Sequence, residues 1–113
     1  MSFDIVAIKP TNLDAESLND VREVRPLGDA ESVRRIFEVK FPGATTGLSV
    51  NREEYSLEVT LANDPVDSAH LALRWGPAWS TSSREQVIER LGEICRHLEC
   101  VAFAVSDNSR LAP

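Results

Sequence analysis

Two histidines, two cysteines and eighteen carboxylates are the groups through which this chain of 113 residues could carry out acid–base, nucleophilic or metal chemistry. Their spacing suits none of the three. His70 has the polar parity of a strand, and His97 stands near the end of a helical pattern, where an imidazolium meets the favourable end of the dipole. Both read as surface histidines. Cys95 and Cys100 match no zinc pattern: His97 would be a third ligand, and no fourth stands at a sensible spacing. They are expected to be buried reduced thiols, with side chains directed apart because one ends a helix and the other opens a strand. No GxSxG elbow, Walker loop or HExxH is present. Asp14 with Glu16, or Asp64 with Asp67, are close in sequence, but nothing places either pair in a pocket. The expectation is no catalytic residue, no metal ligand and no cofactor.

The carboxylates are more informative as a charge pattern. Twelve Lys and Arg against eighteen Asp and Glu give a net charge of −6. A polyanion needs a basic footprint, so a nucleic-acid partner is disfavoured. From Glu53 to Leu73 the acids Glu53, Glu54, Glu58, Asp64 and Asp67 stand without a single Lys or Arg, so this stretch carries −5 of the total. Such a run is first of all a solvated surface. It is also a patch able to meet a basic protein. Trp79 lies in the aperiodic segment Gly76–Thr81, where it either caps the core or anchors a partner, and Arg74 beside it adds a second residue type common at binding hot spots. Trp75 has the same parity as Leu71 and Leu73 and is expected to pack inward. The candidate partner-binding residues are therefore Glu53, Glu54, Glu58, Asp64, Asp67, Arg74 and Trp79.

These residues need elements to hold them. Phe3 to Ile8 is β-branched and apolar, closed by Pro10, and reads as a first strand. A weak apolar spacing suggests a short helix near 13–20. Asp29 is a good N-cap for a helix over about 30–40 burying Val33, Ile36, Phe37 and Phe41, which Pro42-Gly43 stops. Leu48 to Val50 is a short strand, and Asn51 to Glu54 a turn. Tyr55, Leu57, Val59 and Leu61 then alternate with Ser56, Glu58, Thr60 and Ala62, the cleanest period of two in the chain. Asn63-Asp64-Pro65 breaks it, and a second amphipathic strand runs to Trp75 before Gly76-Pro77. Ser82 with Glu85, or Ser83 with Gln86, forms a capping box for a helix over 83–98, whose stripe is Val87, Ile88, Leu91, Ile94, Cys95 and Leu98. Val101 to Val105 is apolar on both faces, as a central strand is, and the residues after Ser109 are expected to fray.

The order is β-α-β-β-β-α-β. It predicts an α+β fold: a single domain over 1–113, in two layers, with a mostly antiparallel sheet of about five strands and two main helices on one face. A hydrophobic fraction of 42% argues against disorder. No apolar run approaches the ~20 residues of a membrane span. The N-terminus shows no basic region followed by a long apolar run, so a cytoplasmic location without membrane contact is expected.

Arg25-Pro26-Leu27-Gly28, the helix ending in Phe41-Pro42-Gly43, Tyr55 to Glu58, Asn63-Asp64-Pro65-Val66-Asp67-Ser68 and a closing strand with Asp107 together resemble a set of small uncharacterised bacterial proteins. The resemblance covers about residues 25–107, and its motifs are structural punctuation. One departure is Ala44-Thr45-Thr46, where those proteins often carry a Trp. Proteins of this kind are similar in size and acidity to the immunity proteins that neutralise secreted bacterial toxins. The expected function is thus a non-enzymatic protein-binding domain of the immunity or inhibitor type, whose acidic stretch 53–67 covers a basic toxin surface. The alternatives are a small enzyme or ligand-binding domain with a cleft between sheet and helices, and a homodimer formed through an exposed sheet edge.

Overall fold

A computed structural model describes residues 3–113. The strands are β1 (Phe3–Pro10), β2 (Val24–Arg25), β3 (Ser49–Asn51), β4 (Tyr55–Ala62), β5 (Ser68–Trp75), β6 (Val101–Ala104) and β7 (Arg110–Ala112); the helices are α1 (Ala30–Lys40) and α2 (Thr81–Leu98). The main sheet has the order β3-β4-β5-β1-β6-β7, and β2 pairs with the far end of β1. Every pairing is antiparallel. The fold is the expected α+β domain, with seven strands in place of about five.

Alternation decides which side chains meet the helices. Tyr55, Leu57 and Val59 of β4 lie opposite Trp75, Leu73 and Leu71 of β5, and Ile5 and Ala7 of β1 continue the same face. Onto it α1 lays Val33 and Phe37, and α2 lays Val87, Leu91, Ile94 and Leu98, all in one buried cluster. Leu57 and Leu91 are fully enclosed while Glu58 is exposed, so the predicted register and helix phase both hold. Across the outside of the two helices, Lys40 and Glu93 form an ion pair.

The opposite face of the sheet is divided. Under β1 and β6, Ile8, Val101 and Phe103 form a second buried cluster roofed by Ala15, Leu18 and Val21. The 11–23 segment that supplies this roof is mostly loop, with only a 3-10 turn at Leu18–Asp20. The helix expected near 13–20 does not form: Arg110 donates to the carbonyls of Leu13 and Ala15, and Leu18 N–H donates to Asn108 C=O, so the backbone is satisfied from outside. Under β4 and β5 the same face is open, with Glu58, Thr60, His70 and Arg74 exposed.

Three further expectations are corrected. The tail beyond Ser109 is strand β7, paired with β6. Helix α2 begins at Thr81 because Ser80, not Ser82 or Ser83, is the N-cap; its side chain and that of Ser83 accept from each other's backbone N–H. Trp75 keeps its inward parity but is 46% exposed, because it stands at the end of the sheet beyond the helix layer. Shortening the α2 side chain at the centre of the core, Leu91→Ala, is expected to cost ~2–5 kcal/mol through lost transfer energy and a cavity. Urea unfolding measures it, and a loss under about 1 kcal/mol would place Leu91 outside the core.

Candidate functional site

The first candidate site is built where the chain's turn motifs converge. Leu27 N–H donates to Val66 C=O at 2.7 Å, and Val66 N–H returns a bond to Gly28 C=O at 2.8 Å. This bridge brings the Pro-Leu-Gly loop against the Asp-Pro-Val-Asp segment. Asp29 then caps Ser32 N–H, and Asp64 accepts from Ala30 N–H at 3.1 Å. Two carboxylates thus serve the first turn of α1, where orphan N–H groups and the dipole favour negative charge. The Ser32 backbone and side chain hold the Asp29 carboxyl below its usual range.

The other end of α1 is secured by Glu38. Its carboxylate accepts from Gly43 N–H (2.8 Å), Thr45 N–H (2.9 Å) and the Thr45 hydroxyl (2.6 Å). The Thr45 hydroxyl first, and then the two N–H groups, keep the Glu38 carboxyl below the ordinary carboxylate range. The loop needs Gly43, whose φ is +90° and where a Cβ would lie 2.9 Å from Leu48 C=O. Held this way, the loop presents Ala44 C=O to Val59 N–H at 2.8 Å.

Between α1, this loop and β4 lies an open groove of about 700 Å³. Ala30, Glu31 and Arg34 form one wall, Ala44 to Gly47 the second, and Glu58 to Leu61 with Asp64 the third. The third wall is an incomplete sheet edge. β3 pairs with β4 only at Tyr55–Leu57, and Ala44 takes the Val59 N–H. By antiparallel alternation, Leu61 turns its N–H and C=O the same way, into the groove. Three carboxylates face one guanidinium here. Glu31 also pairs with Arg35 at 3.2 Å on the exposed helix surface.

The predicted site residues divide. Glu58 and Asp64 line the groove, and Asp67 is on the same turn, accepting from Asn63 at 2.7 Å. Glu53 and Glu54 are at the opposite end of β4. Glu54 is not a free surface acid, since it accepts from the buried Ser83 hydroxyl at 2.7 Å and so braces the start of α2. Arg74 is exposed on the open sheet face. Trp79 is half-buried, its ring edge-on to Tyr55 with centroids 6.0 Å apart, so it packs against the edge of the core. Sequence reading missed Glu31, Arg34 and Glu38. Glu38 had a local signal, an acid in the last turns of a helix that is stopped by Pro42-Gly43 and followed by Thr45 and Thr46.

Cys95 and Cys100 are buried free thiols. Contrary to expectation they are held together, because Glu99 adopts a left-handed conformation (φ 56°) that folds Cys100 N–H back onto Cys95 C=O at 2.9 Å. The adjoining Cys100 side chain and burial push the Cys95 thiol far up, which keeps it protonated and a poor nucleophile. His70 stands 3.8 Å from Asp4 on the open face, and His97 is exposed.

The Glu38 clamp has a pH signature. Its folded pKa lies below the ordinary value of about 4.5, so its contribution is complete above that pH and is lost as pH falls through the folded value. Relative to wild type, Glu38→Gln is expected to lose about 1 kcal/mol at about pH 7, the charged bonds being discounted for partial solvent contact. The difference should shrink as pH falls below about 4.5 and through the lowered folded value, as followed by urea unfolding at a series of pH values. A pH-independent difference would assign the effect to shape alone. No family model, curated protein or solved structure matches the chain, so the site rests on its own geometry.

Proposed function

We propose that this domain is a non-enzymatic binding module that receives a basic, extended segment of a protein partner in the α1–β4 groove. The observation that carries the reading is the coincidence of an unpaired stretch of β4 with Glu31, Glu58 and Asp64. A strand laid along Leu61 would gain backbone hydrogen bonds, and its cationic side chains would gain carboxylate partners. The net charge of −6 would steer such a partner from a distance. A secreted toxin with a basic surface is one partner of this chemistry, and inhibition of it by coverage is the activity we would look for.

A second reading, a small-ligand cleft, has in its favour that Glu31, Arg34, Glu58 and Asp64 gather in one groove. Probe size separates the two. A peptide of alternating arginine and threonine, about eight residues long, should shift the backbone amides of Leu61, Ala30 and Thr46 in heteronuclear NMR spectra. Free arginine at the same concentration should not. Glu31→Gln with Glu58→Gln should weaken peptide binding by about tenfold, since two of the three groove carboxylates are lost. Glu53→Gln, away from the groove, should not. Asp64 and Glu54 are left intact because each supports a helix start. Shifts centred on Glu53, or equal binding of an aspartate–threonine peptide, would overturn the proposal. Equal shifts from free arginine would favour the small-ligand cleft.

A further inference from the structure

At the other end of the sheet, the edge of the core is left open. Ile5, Leu73 and Val87 form the floor of an apolar cavity of about 120 Å³, and Trp75 and Trp79 form its wall, their ring centroids 6.3 Å apart and tilted by 48°. Arg84 is the one charged residue in the lining. We propose that this cavity binds a small monocarboxylate whose body is a single aromatic ring or a short branched chain, with the carboxylate on Arg84.

Size sets the body of the ligand. A dry apolar cavity of ~150 Å³ is known to hold benzene, so this one accommodates about one ring and not a peptide. The wall is ready-made. Gly76 packs so closely on the β3–β4 turn that a Cβ there would lie 2.1 Å from Glu53 C=O. Gly76 N–H donates to Glu54 C=O at 2.9 Å and Ala78 N–H to Glu53 C=O at 2.8 Å, so the segment bearing both indoles is held before any ligand arrives. Because Trp75 stands beyond the helix layer, 46% of it is left exposed, and an indole so placed is surface that an apolar ligand would cover.

Arg84 sets the charge. It stands four residues after the N-cap Ser80, where a cation opposes the helix dipole. The first turn of α2 holds no acid of its own. The nearby acid Glu54 is engaged by the Ser83 hydroxyl. Among the described residues Arg84 makes no ion pair and no side-chain hydrogen bond. A carboxylate at the mouth of the cavity would supply both missing terms, a bidentate partner for the guanidinium and negative charge at the helix start.

Both tryptophans of the chain line this cavity, so intrinsic fluorescence reports its occupancy without a label. Phenylacetate titrated to about 10 mM should give a saturable change in emission, with half-saturation in the millimolar range or below. Phenylacetamide has the same shape without the charge and should bind about fivefold more weakly or worse. Arg84→Gln should abolish that preference, and Arg84→Lys should restore part of it. Ile88→Phe, which fills the cavity from α2, should remove binding of both compounds, with circular dichroism confirming the fold. A linear response to phenylacetate, equal binding of acid and amide, or a preference that survives in Arg84→Gln would each overturn the proposal.

Discussion

Two backbone hydrogen bonds, between Leu27–Gly28 and Val66, set the place of everything around the groove. They join segments nearly forty residues apart in sequence and need no side chain at either end. Once they form, Asp64 is brought to Ala30 N–H and α1 starts where the sheet can cover it. Phe37 and Phe41 are then carried into the core, and Glu38 comes within reach of the 43–45 loop. Removing the bridge would free the helix start, the loop and the groove wall together, because each is fastened to the next.

The same economy governs charge. Five acids with no neighbouring cation read in sequence as one patch. In the folded chain Asp64 caps α1, Glu54 braces the start of α2 through Ser83, and Asp67 accepts from Asn63. Only Glu53 and Glu58 of the five engage no donor through their carboxylates among the described residues. Helix starts need negative charge, and this chain supplies it from strand turns far away in sequence. Much of the apparent repulsion in the acidic stretch is thereby relieved by N–H and hydroxyl donors.

Elements with a long period and a local stop were legible. The limits of α1 follow from Asp29 and Pro42-Gly43, and the alternation of β4 fixed its buried face. β2 and β7 were not legible, because Val24–Arg25 and Arg110–Ala112 carry no apolar alternation and exist only through their partners β1 and β6. The start of α2 was misread by two residues because Ser80, Thr81, Ser82 and Ser83 offer several caps, and only the inward contact of Ser83 with Glu54 chooses among them. Parity predicted the direction of Trp75 correctly, but whether a helix covers that point of the sheet is a matter of layer length, which parity does not encode. The acids of the groove were visible individually. Their gathering depends on α1 meeting β4, which no local pattern contains.

The position of β1 bears on how the chain comes together in time. It precedes the other strands of this sheet in sequence and lies between β5 and β6, which begin only at Ser68 and Val101. Its early hydrogen-bonding companion is β2, at two residue pairs. During synthesis its edges therefore stay open until β5 and β6 have been made, whereas the β3–β4–β5 meander can close on itself. The meander is the natural early structure, and insertion of β1 is a late, long-range closure of the kind that slows folding. Lys9 and Asp4 on this otherwise apolar strand place charge on the segment that waits longest for its neighbours, and charge on an unpaired strand discourages pairing with other chains in the interval.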